Sequence, residues 1–225
     1  MGARACGVVA LALGCGLAAL AVPRLGAGIA MVPAGPVVEA LRAGERVAEP
    51  HLATAAATEL RTLAWVPDAQ AYADLSLIYW EQARRAGLAT EEGRRYVEAS
   101  EQAVERVIAL NPSHPIAWTR RAQISLIKSG IDERLARELL MALRTAPYDR
   151  VVLAPRVGIA LYAWPRLDEA TRALVLDQIR LAAKLDAETL AAAARRTFAV
   201  GVVRAALADD PGRLAKFEAF YARLD

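Results

Sequence analysis

The chain has 225 residues, 56% of them hydrophobic, with Gly (14) and Pro (11) too few for collagen-like or low-complexity structure. Its formal net charge is +3. Setting aside Arg4 and Arg24, which flank an acid-free apolar segment, leaves 26 basic against 25 acidic groups, not the clustered positive footprint that nucleic-acid binding needs. Both cysteines, Cys6 and Cys15, lie in that segment, so the remaining 210 residues can form no disulfide, thiolate zinc site or thiol nucleophile.

Residues 5–22 form 18 consecutive uncharged residues, preceded by Arg4 and followed by Pro23-Arg24. Residues 1–24 therefore read as a signal peptide or an uncleaved signal anchor. Ala19-Leu20-Ala21 offers a cleavage site of the small-x-small kind, while the apolar character persists beyond it. The positive-inside rule, acting through Arg4, places the C-terminal remainder of the chain outside the cytoplasm. The expected location is the inner membrane, single-pass with a periplasmic C-terminal domain, or the periplasm if the segment is cleaved. Residues 25–36, with several Gly and Pro and no acid, are expected to be a linker.

From residue 37 to 225 the pattern predicts helix after helix and no sheet, an all-α fold. The expected helices are 37–48, 50–65, 69–86, 91–110, 114–129, 133–145, 149–163, 168–184, 187–208 and 212–223. Asp68, Thr90, Ser113, Asp132, Asp168, Asp186 and Asp210 stand where N-caps are needed. Pro67, Gly87, Pro112, Gly130 and Pro147 supply the stops. Short turns between amphipathic helices imply either a stacked array of helical hairpins or a bundle.

One stretch is more specific. Ile108-Ala109-Leu110-Asn111-Pro112, followed by Ser113-His114-Pro115-Ile116-Ala117-Trp118, resembles the junction of two tetratricopeptide (TPR) motifs, a leucine and proline closing one and a tryptophan opening the next. In that register Ser76, Ser100, Ala122 and Ala142 fall at small-residue positions, and Tyr72, Tyr79 and Trp118 at large packing positions. Arg121 stands where leucine is usual. The resemblance covers residues 69–147, and the spare residues around 84–96 lengthen the first motif. It implies a TPR-like α-helical hairpin solenoid behind the N-terminal helix. It also implies that Trp80, Thr119 and Gln123 face a concave groove, an aromatic and two polar side chains suited to capturing a peptide. The alternative for Trp80 is core packing against the helix at 50–65.

No residues make a catalytic constellation. His51 and His114 have no second ligand at metal spacing, and there is no Gly-rich phosphate loop or nucleophile elbow. Glu91-Glu92 and Asp209-Asp210 sit at helix starts, where the helix dipole accounts for them. The expectation is a non-enzymatic interaction scaffold without metal, cofactor or nucleic acid, held at the inner membrane and bound to protein partners of an envelope complex. The resemblance implies a role beside envelope biogenesis, including assembly or export of a polysaccharide. The other class is an α-helical domain binding or acting on an envelope glycan, which would need two carboxylates facing each other in a cleft.

Overall fold

A computed structural model describes residues 2–224, apart from the side chains of residues 2–6 and residue 9; the flanking charge Arg4 and the thiol Cys6 thus lie outside the described side chains. Among the described residues every regular element is a helix. The chain divides into two compact units, Met1–Leu110 and Asn111–Asp225.

The first unit opens with α1 (Gly2–Met31), followed by a 3₁₀ turn (Val32–Ala34), α2 (Gly35–Arg42), α3 (Glu49–Leu63), α4 (Ala69–Ala86) and α5 (Glu91–Leu110). The helical stretch that includes α1 contains a segment long and apolar enough to cross a membrane. Residues 25–36, expected to be a linker, are helical instead. α1 continues through Pro23 to Met31, and Pro33 and Pro36 fall in the first turns of the next two elements, where a missing N–H costs nothing. Ala27 and Ala34 are buried there, and the end of α1 packs on α3. α4 lies against both α3 and α5 over a core that includes Leu52, Leu75 and Ile78.

The α4–α5 hairpin explains its own ends. Asp68 Oδ1 accepts from the Ala71 N–H at 2.8 Å, and the Thr90 hydroxyl accepts from the Gly93 N–H at 3.0 Å. Gly87 takes a positive φ of 88°, and a Cβ on Gly93 would stand 2.0 Å from the Gly87 carbonyl oxygen. No other residue fits that second position without opening the turn.

The second unit contains α6 (Pro115–Ser129), α7 (Glu133–Thr145), α8 (Arg150–Ala163), α9 (Glu169–Leu185), α10 (Ala187–Arg196), α11 (Val200–Ala206) and α12 (Pro211–Tyr221). Aspartates cap α7, α8, α9, α10 and α12. α6 pairs with α7, α8 with α9 and α10 with α12, and α8 also packs against both α6 and α10. This is a helical-repeat-like order, in which each hairpin buries its apolar face on the next. The helix expected over 187–208 is broken at Thr197–Ala199, where Phe198 takes φ 54° and is 94% exposed.

Two buried polar contacts fasten this unit. Glu138 Oε1 accepts from Arg121 Nε and Arg134 Nε, both at 2.9 Å, so the arginine at a leucine position is matched across the α6–α7 hairpin. Arg156, fully buried on α8, donates through Nη1 to the Ala146 carbonyl (2.8 Å) and to Gln178 Oε1 (2.9 Å).

Candidate functional site: a tyrosine-floored groove in the first unit

α4 is flanked by α3 and α5, and a groove opens between those two flanks. Tyr72, Leu75 and Tyr79 of α4, one turn apart in succession, form its floor; Leu60 of α3 forms one wall, and Ala99, Gln102 and Arg106 of α5 the other. The lining residues of α4 and α5 recur at helical spacing, so the groove runs along these helices rather than across them. Tyr79 is held against Tyr96 of α5, with ring centroids 6.3 Å apart and planes at 27°. Burial, and then the neighbouring Tyr96, push the Tyr79 phenol above its ordinary range. It therefore remains a neutral hydroxyl that can both donate and accept a hydrogen bond. The exposed walls carry one amide (Gln102), one carboxylate (Glu105) and one guanidinium (Arg106) beside the apolar Leu60. An apolar floor with polar margins is the chemistry that holds an amphipathic peptide by its side chains.

Tyr79, expected as a packing residue, does pack against the first unit's core, and with half-buried Tyr72 it also lines the open groove. Trp80, expected to face a concave groove with Thr119 and Gln123, lies next to Tyr79 about 100° around the helix and is half-buried in the first unit. Thr119 and Gln123 belong to the second unit, one turn apart on α6. Thr119 is 2% exposed and its hydroxyl is buried, so it is not a group offered to a ligand; Gln123 is half-buried. The physical reason is that α6 is covered by both α7 and α8, so residues on two of its sides are withdrawn from solvent. Trp118, expected at a packing position, is also only half-buried, with its indole N–H donating to the Pro112 carbonyl at 2.7 Å.

Behind the groove, on the side of α2, the first unit contains a polar cluster. Asp74 of α4 accepts from Arg42 Nη2 at 2.6 Å and from Gln70 Nε2 at 2.9 Å. Glu59 of α3 is 1% exposed, and neither carboxylate oxygen has a hydrogen-bond partner. Desolvation, followed by the proximity of Asp74 and Asp68, raises its pKa to about 7. Asp74 is likewise raised, mainly by burial, with Arg42 opposing. These two carboxyls couple electrostatically, but both are buried and Asp74 is held by its own partners. They are not a pair of acids facing each other in an open cleft. His51 is exposed in the first unit and His114 is buried in the second.

No signal short of the tertiary structure marks the groove, because the register that places Tyr72 and Tyr79 on one face does not say whether a neighbour covers it. No family model, no curated protein and no solved structure matches this chain.

Proposed function

We propose that the chain is a membrane-anchored, non-enzymatic scaffold that captures a protein segment in the Tyr72–Tyr79 groove. The observation that carries this reading is the groove itself, an open channel with two tyrosines on its floor and polar groups on its α5 wall. Large apolar side chains left at the surface beside fixed polar groups are what binding hot spots are made of. α1 supplies the anchor, spanning the inner membrane with the helical units on the periplasmic side. The positive-inside rule, acting on Arg4, favours that orientation. The hairpin order supports a TPR-like solenoid, since the small residues Ser76 and Ser100 meet across the first hairpin and Ala122 and Ala142 are buried in the second. The partners would be proteins of an envelope assembly, such as one that builds or exports a polysaccharide, as the TPR resemblance implies.

The test is site-specific photo-crosslinking in native membranes from a probe at Gln102. A defined protein adduct, absent when the probe is moved to exposed Glu98 outside the groove lining, supports the reading. Equal adducts from both positions, or none from Gln102, contradict it.

A further inference from the structure

The end of α1 packs on α3 through one of its faces. Ala27 is buried there, and a Cβ on Gly26 would stand 2.8 Å from the ring of Trp65, so that ring lies directly on the helix backbone. The opposite face is apolar and uncovered: Leu25, Ile29 and Val32 are 66%, 65% and 70% exposed. Trp65 itself, against Gly26, remains 54% exposed. Arg24, the one charge in this region of α1, lines a cleft with Thr62, Asp68 and Gln70, on the polar side of the unit.

These features form one surface. Leu25 and Ile29 continue the face of α1 that also carries Leu11 and Val22, while Leu13, Leu17 and Leu20 are exposed on its other side, so the apolar surface before Arg24 runs all round the helix. Tryptophan beside a spanning helix characteristically sits at the lipid–water boundary, its ring in the apolar edge and its N–H in the headgroups. An arginine near that boundary turns its charge toward polar surroundings while its stem stays in the apolar layer. If the boundary is at Gly26, a hydrocarbon core of about 30 Å reaches back about 20 residues along the helix, within the length of α1.

We infer that the first unit is seated in the bilayer interface, with Leu25, Ile29 and Trp65 in contact with lipid, rather than held clear of the membrane on a tether. The occupant of this face is lipid because the face is continuous with the membrane-spanning surface of α1. This rests on the reading of α1 as an anchor. The consequence is that the α3–α4 end of the unit is fixed in depth, because α1, α3 and Trp65 are packed as one body.

The test uses the full chain with Cys6 and Cys15 replaced by Ala, reconstituted in phosphatidylcholine–phosphatidylglycerol nanodiscs. A fluorophore is attached at Leu13→Cys, Leu25→Cys or Ile29→Cys. These side chains are exposed, so the labels leave the core intact. Quenching by brominated lipid and by aqueous iodide is then compared. The expected result is lipid quenching at Leu13 by bromines deep in the acyl chains, lipid quenching at Leu25 and Ile29 by bromines near the headgroups, and several-fold weaker iodide quenching at all three. Trp65→Ala should raise iodide quenching of the Ile29 label about twofold. Lipid quenching at Leu13 with free access of iodide at Leu25 and Ile29 overturns the seat and leaves the anchor standing. Labels at Leu25 and Ile29 shielded from both quenchers mean that protein covers this face, which also overturns it. Iodide quenching at Leu13 overturns the anchor itself.

Discussion

Ser76 Oγ and Ser100 Oγ lie 3.0 Å apart in the seam between α4 and α5, and Ser100 Oγ also donates to the Ser76 carbonyl at 2.9 Å. Both residues are buried, and their small size lets the two helices approach closely. The two serines are not equivalent. Ser76→Ala leaves the Ser100 hydroxyl its backbone acceptor and should cost under about 1 kcal/mol. Ser100→Ala leaves the Ser76 hydroxyl buried without its partner and should cost about 1–3 kcal/mol. Ser100→Leu must push the helices apart and should cost about 3 kcal/mol. Urea melts of the three variants give the order directly; equal losses for both alanine variants would contradict it.

Much of this helical frame is written locally. The limits 69–86, 91–110 and 133–145 are those expected from the sequence, because Asp68, Thr90 and Asp132 satisfy free N–H groups at the starts, and Gly87 takes a positive φ after the first of these helices. The break at Phe198 is not legible, since phenylalanine is not a residue that marks a left-handed turn. Ser113 stands where a cap is expected, yet His114 occupies that position with Pro115 opening α6. The groove escapes the sequence for a different reason. Periodicity tells which residues share a face, and only the placement of α3 and α5 tells that the Tyr72–Tyr79 face stays open.

Glu59 should make the first unit less stable at neutral and alkaline pH than in mild acid. In the fold its pKa is about 7, against an ordinary 4.5, so between these values the folded chain binds a proton that the unfolded chain has lost. Stability therefore falls as pH rises through that window and levels off above about pH 7. Glu59→Gln should flatten this slope and, at pH 8, stabilise by about 1–3 kcal/mol. Melting temperatures from pH 5 to pH 8 test it; stability that rises with pH in the wild-type chain and is unchanged in the variant would contradict the assignment.

Arg156 should matter through its packing as well as its hydrogen bonds. Its guanidinium is buried, and burial lowers its pKa to about 10 while Asp149 opposes the shift. Nε and Nη2 have no hydrogen-bond partner, so the residue is not an ideally satisfied ion. Arg156→Ala removes the stem and takes the side-chain donor from the Ala146 carbonyl and from Gln178 Oε1, which should cost about 3–5 kcal/mol. Arg156→Met keeps the stem volume and should cost at most about half as much. Denaturant midpoints for the pair check this, and equal losses would show that the hydrogen bonds alone set the cost.

Trp118 should contribute less than a fully buried tryptophan. Part of its surface stays open, and its distinctive contact is the indole N–H bond to Pro112. Trp118→Phe should cost about 1 kcal/mol by losing that bond, and Trp118→Ala about 2 kcal/mol. A loss above about 4 kcal/mol for the alanine variant would place the ring in the core after all.

If the Tyr72–Tyr79 groove, and not the neighbouring Trp80 face, holds the protein partner, two variants must behave differently. The direct measurement is their partner yield after crosslinking in membranes, taken alongside thermal melting. Gln102→Glu/Arg106→Glu changes the exposed groove wall, and Trp80→Ala changes the adjoining face. The wall variant is expected to lose at least about tenfold in yield, the equivalent of about 1.4 kcal/mol, with melting within a degree of wild type. Trp80→Ala should retain most of the yield once any change in folding is allowed for. Full yield from the wall variant together with loss on Trp80→Ala at unchanged melting would contradict the groove and return the binding face to Trp80.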